Sequence, residues 1–405
     1  MIKKDLPLEF MKAQPVIEAL EQGGFEAYFV GGSVRDILLN QVIHDVDIAT
    51  SAYPEEVKGL FQRTIDVGID HGTVLVLYEE DQYEITTFRT ESTYQDYRRP
   101  DSVTFVRSLA EDLKRRDFTI NALAMNQQGE VIDLFDGMTD LANRLIRAVG
   151  LADERFNEDA LRMMRGLRFA SQLDFEIEKE TFAAIAKHHA LLGKISVERI
   201  QVEFVKMMLG KKRNRGLQAF IDTQCFRYCP ELQDKQEGLA KLVALPAEQL
   251  SEEVLVWLLT VHCLELQQQE IKLFLTSWKN SNHMIKQVSL LHSGLAFRLT
   301  QDWSNQWLYD LGAENIQLLE TALPYFNEQS KLAEALNRYE KLPIHKIQDI
   351  QLTGKDLLAL IGQRPGPWVG QVLAVIQQQL LAGEVSNQPE ELSQLALKVY
   401  QQLNA

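Results

Sequence analysis

Two groups of residues between positions 30 and 50 have the types and spacing needed to handle a nucleoside triphosphate. Gly31 and Gly32 follow a short apolar segment and would let the backbone approach a phosphate closely. Ser33 is placed to cap the helix that follows, whose free N–H groups would favour anions. Arg35 adds a fixed positive charge to the same turn, so the segment predicts a phosphate-binding site.

The second group is the acidic pair Asp45 and Asp47, in a stretch rich in β-formers. The two-residue period of a strand would place both carboxylates on one face, where they could hold Mg²⁺. Metals held there would activate an attacking hydroxyl and stabilise a leaving pyrophosphate. Each group alone has a plain explanation, as a turn or as solvated acids. Together, across one short helix, they predict nucleotidyl transfer.

Two further segments could complete such a site. Residues 115–122 are predicted to join a helix to a strand, and would offer Arg116 to phosphates and Asn121 to a sugar or to the backbone. Residues 133–137 read as a turn, with hinge motion as the alternative.

A charged pattern from Glu158 to Arg165 is predicted to open a helix, on which Asp159 and Arg162 would share a face. One interpretation is an ordinary ladder of surface ion pairs. The other is recognition of a base edge, in which Asp159 accepts from an exocyclic amino group and Arg162 donates to ring acceptors. Cytosine and adenine both present an amino donor beside a ring-nitrogen acceptor, whereas uracil and guanine do not present that pair in this order.

The elements that would position these residues change in character once along the chain. Before about residue 137, short β-rich runs alternate with short helical patterns; from residue 140 onward the patterns are almost entirely helical. The sequence therefore predicts a catalytic head containing a sheet, followed by an all-α remainder. The predicted strands are 28–30, 73–78 and 83–88, and the predicted helices include 54–62, 158–171 and 197–209.

Length and composition restrict the class of protein. A chain of 405 residues with 45% hydrophobic content should form two or more globular domains. No apolar run approaches the ~20 residues that cross a bilayer, and the first residues lack a signal-peptide core, so we expect a cytoplasmic protein without a membrane partner.

The distribution of charge leaves room for a nucleic-acid partner despite a net charge of −15. Residues 143–216 hold 15 Lys and Arg against 10 Asp and Glu, including Arg162, Arg165, Arg168 and the cluster 211–215. This segment is either a solvated face or the footprint of RNA.

The order of these motifs resembles that of the class II tRNA nucleotidyltransferases, which comprise the bacterial CCA-adding enzymes and the related bacterial poly(A) polymerases. The resemblance extends from the Gly31 turn and the acidic pair, through 115–122 and 133–137, to 158–165 and Glu198-Arg199-Ile200-x-x-Glu203. Residues 353–357 and 365–370 are similar to the tail of the short, Bacillus-type CCA-adding enzymes.

The resemblance implies an α+β fold: an N-terminal nucleotidyltransferase head with a mixed β-sheet, followed by all-α neck, body and tail domains. The expected domains are the head at 1–140, a base-recognising neck at 141–215, a tRNA-binding body at 216–290 and a tail for the tRNA elbow at 291–405.

It also assigns roles to individual residues. Asp45 and Asp47 would be the catalytic Mg²⁺ ligands, and Glu84 is a possible third carboxylate. The residues expected to bind the nucleotide are Gly32 and Arg35 at the triphosphate, Asp159 and Arg162 at the base, and Arg116, Arg165 and Arg168 at sugar, phosphate or base.

The implied reaction is addition of C, C and A to the 3′ end of tRNA from CTP and ATP, with release of pyrophosphate and without a nucleic-acid template or a required protein partner. Residues 92–104 correspond to a flexible loop whose presence favours the complete reaction. Alternatives are a poly(A) polymerase, which tends to carry a basic C-terminal extension, and a partial CC- or A-adding enzyme. A catalytically idle RNA-binding module is disfavoured by the intact acidic pair. A small-molecule nucleotidyltransferase is disfavoured by the long helical remainder, which it would not need.

Overall fold

The computed structural model describes residues 6–43, 45–68, 72–91, 103–246 and 249–403. The chain forms two compact units, Met1–Glu253 with Ser277–Lys279 and Val254–Thr276 with Asn280–Ala405. Within the described ranges, no helix has both the length and the apolar character of a membrane span.

The strands that the structure describes belong to the first unit. They are β1 Ala27–Val30, β2 Asp47–Thr50, β3 Thr64–Gly68, β4 Thr73–Tyr78, β5 Asp81–Thr87, β6 Arg89–Glu91, β7 Val103–Phe105, β8 Leu123–Met125, β9 Val131–Asp133, β10 Leu145–Ile146 and β11 Glu176–Ile177. Seven of them form one sheet in the order β3-β4-β5-β2-β1-β8-β9. Its β2–β5 pair is parallel and the other pairs are antiparallel, so the predicted mixed sheet is confirmed.

The helices of the first unit are α1 Leu8–Gln22, α2 Gly32–Leu38, α3 Pro54–Leu60, α4 Leu109–Lys114, α5 Gly137–Ala142, α6 Ala152–Glu158, α7 Leu161–Leu173, α8 Lys179–His188, α9 Val197–Met208, α10 Arg213–Asp222 and α11 Gln236–Ala244. A 3-10 turn at Thr119–Asn121 precedes β8.

The second unit is helical, as predicted for the C-terminal part of the chain. Its helices are α12 Glu253–Cys263, α13 Gln268–Ser277, α14 Asn282–Arg298, α15 Asn305–Ala322, α16 Leu332–Glu340, α17 Gly354–Ile361, α18 Trp368–Ala382 and α19 Pro389–Leu403, with the end residues Glu253 and Ser277 assigned to the first unit. The Thr353 motif caps α17: its hydroxyl accepts from the Asp356 N–H at 3.3 Å, and its own N–H donates to the Asp356 carboxylate at 2.9 Å.

One hydrophobic core joins the sheet to the first helices of the predicted neck. Phe10 of α1 packs edge-to-face on Phe29 of β1, with ring centroids 4.6 Å apart. The same buried cluster contains Ile48 of β2 and Phe169 and Leu173 of α7. Apolar packing therefore fixes the position of α7 relative to the sheet.

The structure corrects two local predictions. The predicted helix 158–171 is broken, because Asp159 adopts an extended conformation between α6 and α7 and its carboxylate accepts from the Leu161 N–H at 3.0 Å. Asp159 and Arg162 therefore do not share the face of one helix. Ser33 is not a helix cap: Gly31 is the N-cap of α2, and the Ser33 hydroxyl donates to the Val30 carbonyl at 3.1 Å.

The basic cluster 211–215 is also less uniform than a solvated face. Arg213 is buried and donates to the Leu245 and Pro246 carbonyls. Arg215 pairs with Asp174 at 3.1 Å. The charge of this cluster available to an RNA is therefore smaller than its composition suggests.

Candidate functional site

A cavity of about 810 Å³ opens in the first unit where the ends of β1, β2 and β5 meet α2, α4 and α7. Asp45 does not line it. The predicted site residues that line it are Gly32, Arg35, Asp47, Arg116, Asp159, Arg162, Arg165 and Arg168.

The turn between β1 and α2 is built around Gly31. Gly31 has φ 72° and ψ −133°, in the region that favours glycine. A Cβ at this position would lie 3.1 Å from Nη1 of Arg116 and 3.9 Å from Oδ2 of Asp47. The bare backbone of the turn therefore lies close to both a cation and a carboxylate, at the N-terminus of a helix that favours anions.

The carboxylates collect beside this turn. Asp47 begins β2, and the parallel pairing of β2 with β5 brings Glu84 of the cavity wall beside it. Asp47 is exposed to solvent, but the surrounding wall partly desolvates it and thereby raises its pKa. The charges of Glu84 and Asp45 raise the pKa further, and Arg116 acts in the opposite direction.

This donor set fits a hard divalent cation. It consists of carboxylate oxygens with an excess of negative charge that Arg116 only partly offsets. The described residues contain no group of three His, Cys, Asp or Glu side chains arranged to hold a metal by themselves. Substrate phosphates and water would therefore complete the coordination, as is usual for Mg²⁺.

Arg116 is held in place by Asp112, a carboxylate that the sequence analysis did not predict. Its Nη2 lies 3.2 Å from Oδ2 of buried Asp112, and Arg115 lies 2.7 Å from the other oxygen. Burial alone would raise the pKa of Asp112, but the two guanidiniums outweigh burial and lower it. Nε of Arg116 is buried and has no hydrogen-bond partner among the described residues.

Asp117 is a second missed residue. Its Oδ2 accepts from Nε of Arg165 at 2.7 Å, and its Oδ1 accepts from the Asn121 amide at 3.2 Å. The side-chain oxygen Oδ1 of Asn121 in turn accepts from Arg35 at 2.7 Å. Burial works to raise the pKa of Asp117, but Arg165 and the hydrogen bonds lower it to about 2. One buried carboxylate thus fixes Arg165 directly and Arg35 through Asn121; its sequence signal was its place in 115–122.

Arg162 keeps one ion pair of the predicted ladder, with Glu158, whereas Asp159 is held by a residue outside it. Oδ2 of Asp159 accepts from Arg199 of α9 at 3.0 Å. Arg162 is buried, pairs with Glu158 at 2.7 Å and donates to the Arg115 carbonyl at 2.8 Å. Both line the cavity, so the structure brings the two proposed base-reading residues to one site. Arg199 was predicted only as part of a motif, and its contact with Asp159 gives it a role.

Arg168 of α7 lines the cavity, as Arg165 of the same helix does. Its Nε lies 2.6 Å from Oε2 of Glu203, and both side chains are largely buried. Desolvation lowers the pKa of Arg168, and the neighbouring charges of Arg165 and Arg35 lower it further while Glu203 opposes them. The predicted loop at 92–104 lies outside the described residues except for Val103 and Thr104, which belong to β7.

Family models match three parts of the chain. Residues 27–147 match the poly A polymerase head domain, residues 174–236 a probable RNA- and SrmB-binding site of polymerase A, and residues 248–396 a putative tRNA nucleotidyltransferase domain 2.

Full-length relatives are also found. The chain is 58% identical over 393 residues to the CCA-adding enzyme of Enterococcus faecalis, covering 97% of each chain. It is 52% identical to that of Latilactobacillus sakei, over 96% of this chain and 98% of the relative. Its structure matches the crystal structure of the Bacillus stearothermophilus CCA-adding enzyme in complex with CTP with a TM-score of 0.91 and 38% identity, over 98% and 99% of the two chains.

Proposed function

Because this chain belongs to the family of CCA-adding enzymes, we infer that it adds C, C and A to the 3′ end of tRNA from CTP and ATP, releasing pyrophosphate at each step. One cavity joins two features, and this observation carries the inference. They are an acidic end, formed by Asp47 and Glu84 beside the glycine turn, and an arginine wall, formed by Arg35, Arg165 and Arg168. The full-length relatives support it.

Nucleotidyl transfer in this family uses a divalent metal, and we propose that the metal is Mg²⁺ and that Asp45 and Asp47 are its protein ligands. Bound there, it would activate the tRNA 3′-hydroxyl and stabilise charge on the leaving pyrophosphate. Asp47 supplies oxygen donors at the wall of the cavity, and Asp45 adds charge from the connection before β2.

The triphosphate is proposed to lie along the Gly31 turn. The backbone at Gly31 and Gly32 gives it close approach, and Arg35 and Arg116 supply positive charge on either side. Arg116 is suited to this role because Asp112 fixes its guanidinium while its Nε stays unpartnered among the residues described.

Base selection is proposed to lie with Asp159 and Arg162. Asp159 keeps accepting capacity beyond its bonds to Arg199 and the Leu161 N–H, because each carboxylate oxygen has two lone pairs. Arg162 supplies donors from a buried position on α7. An acceptor and a donor fixed in this way match the amino group and ring nitrogen shared by cytosine and adenine.

The acceptor stem and the elbow of tRNA are proposed partners of the predicted body, 216–290, and tail, 291–405, and no protein partner is invoked. This division into head, neck, body and tail remains our proposal for the domain boundaries.

The direct test is incubation with a tRNA that ends at its discriminator base, with each nucleotide separately and together, resolved on a sequencing gel. CTP alone should add two residues, CTP with ATP should add three and stop, and UTP or GTP should add none. A long tail from ATP alone would instead identify a poly(A) polymerase. Arrest after two C residues in the presence of both CTP and ATP would identify a partial enzyme. Asp47→Ala is the matched inactive control.

A further inference from the structure

Phe169 of α7 lies at the centre of the arginine wall, although nothing in the sequence pattern singles it out. It lines the cavity and is 4% exposed. Three guanidinium carbons lie within about 6 Å of its ring centroid, the range of cation–π attraction. The distances are 4.1 Å for Arg168, 5.2 Å for Arg35 and 5.6 Å for Arg165.

These three arginines come from two different helices. Arg35 belongs to α2, whereas Arg165 and Arg168 precede Phe169 on α7. Like charges this close repel one another: the pKa of Arg168 is lowered chiefly by desolvation and further by the charges of Arg165 and Arg35. Each guanidinium has one carboxylate partner, which fixes one side of it; the ring is the neighbour that all three share.

The ring itself is rigidly placed. Phe118 packs edge-to-face on Phe169, with centroids 5.8 Å apart and planes at 86°. A Cβ on Gly166 would lie 3.0 Å from the Phe118 ring, so the helix and this ring are in close contact. Phe118 directly follows Asp117, the carboxylate that pairs with Arg165. The same short segment therefore fixes both the ring and one of its arginines.

We propose that Phe169 is a positioning residue that gathers Arg35, Arg165 and Arg168 into one preorganised cationic set for the phosphate and sugar portion shared by CTP and ATP. The proposal rests on the proposed function of the cavity and deepens it. Because the anion is common to both substrates, Phe169 contributes to nucleotide affinity without contributing to the choice of base. Base choice stays with Asp159 and Arg162.

The test uses the full-length enzyme with Phe169 replaced by mono-, di- and trifluorophenylalanine, which weaken the negative face of the ring in steps while nearly preserving its shape. KM for CTP and for ATP, and inhibition by inorganic tripolyphosphate, are measured for each. We expect all three constants to rise together and stepwise, by about three- to tenfold over the series, with kcat and U or G misincorporation unchanged. Constants that stay flat across the series would overturn the proposal.

Phe169→Leu and Phe175→Leu form a matched pair for the same measurements. Phe175 is equally buried, belongs to the same core cluster and has Arg144 5.8 Å from its ring, but it does not line the cavity. Both variants should lower the melting temperature, and only Phe169→Leu should weaken tripolyphosphate inhibition. Equal weakening by both would reduce Phe169 to a packing residue. If wild-type enzyme adds no C or A but titration calorimetry shows that tripolyphosphate still binds in a Phe169-dependent way, the proposed function fails and the anion site stands.

Discussion

The acidic end and the arginine wall of the cavity differ in how completely the protein satisfies them. At the acidic end, desolvation raises the pKa of Asp47, and the neighbouring charges of Glu84 and Asp45 raise it further. On the arginine wall, Asp117 has partners for both oxygens and a pKa of about 2. The first arrangement needs a cation from outside, whereas the second is complete before substrate arrives.

This difference separates residues that serve catalysis from residues that also stabilise the fold. A carboxylate that is repelled by its neighbours contributes little to the stability of the fold, so its loss should affect catalysis alone. A buried carboxylate that holds partly buried guanidiniums contributes to both stability and substrate binding. Substitutions at the acidic end and on the arginine wall should therefore differ in their effects on stability.

The largest effect is expected at the acidic end. Asp47→Ala should lower the rate of both C and A addition by about 10³-fold or more, because metal stabilisation of the transition state is worth several kcal/mol. Its melting temperature should not fall, since the substitution removes a charge that the fold disfavours. Rates are measured on gels that resolve the extended tRNA, and stability is measured by thermal denaturation.

Asp45→Ala should lose activity in the same way. Asp66→Ala is the matched control, because Asp66 is an exposed carboxylate on β3 of the same sheet and does not line the cavity. Substantial turnover by Asp45→Ala or Asp47→Ala would refute the assignment of these residues as metal ligands.

The second effect concerns stability on the arginine wall. Asp117→Asn removes the counter-charge of partly exposed Arg165 and leaves an amide in a buried site, which should lower the free energy of unfolding by about 2 kcal/mol. KM for CTP and ATP should also rise, because Asn121 and Arg35 lose their anchor. Urea titration at neutral pH checks the first expectation and steady-state kinetics the second. A variant as stable as wild type would show that this wall is not preorganised by Asp117.

The pH dependence of the same pair has a definite sign. The folded pKa of Asp117 is depressed from 3.8 to about 2, so its stabilisation is fully present above pH 3.8 and is lost as the pH falls through 2. Linkage converts this shift to about 2 kcal/mol. The stability difference between wild type and Asp117→Asn should therefore narrow between pH 5 and pH 2. A difference that stays constant over that range would contradict the low pKa.

The sequence predicted the acidic end better than the arginine wall, for a physical reason. Asp47 and the glycine turn are close in the chain, so residue spacing alone predicted their proximity, whereas Asp45, which was predicted with them, does not line the cavity. Arg199 of α9 contacts Asp159, and Arg35 of α2 lies over the ring of Phe169. Both contacts join residues that are distant in the chain, so they depend on how α2, α7 and α9 pack. The helix predicted across Asp159 was wrong because residue periodicity does not show that the Asp159 side chain accepts from the backbone N–H of Leu161.

Base discrimination is the third effect. Asp159→Ala and Arg162→Ala should each lose about 1–3 kcal/mol of discrimination against UTP and GTP, and should incorporate U or G measurably while C and A addition slows. Arg199→Met should give a smaller change in the same direction, since it removes one bond that orients Asp159. Misincorporation ratios are measured beside melting temperatures. Unaltered selectivity with lowered melting temperatures would favour the ion-pair ladder instead.

The smallest effect is expected outside the cavity, at Lys211 and Lys212. Both are exposed, and no ion pair to either is found in the part of the chain that the structure describes. Arg213 of the same cluster is buried, so the available charge is limited to its neighbours. If Lys211 and Lys212 bind tRNA phosphates, the double substitution to Glu should weaken tRNA binding. The slope of log affinity against log salt should fall by about 1 for each phosphate that the protein no longer neutralises.

Lys12→Glu is the control for that double variant, because Lys12 is an exposed lysine of α1 and its reversal also lowers the net charge. Its salt slope should match that of wild type. The double variant should keep its KM for CTP, since neither lysine lines the cavity. An unchanged affinity and slope in the double variant would assign the cluster to a solvated surface. A raised KM for CTP would instead show that the cluster and the arginine wall are not independent.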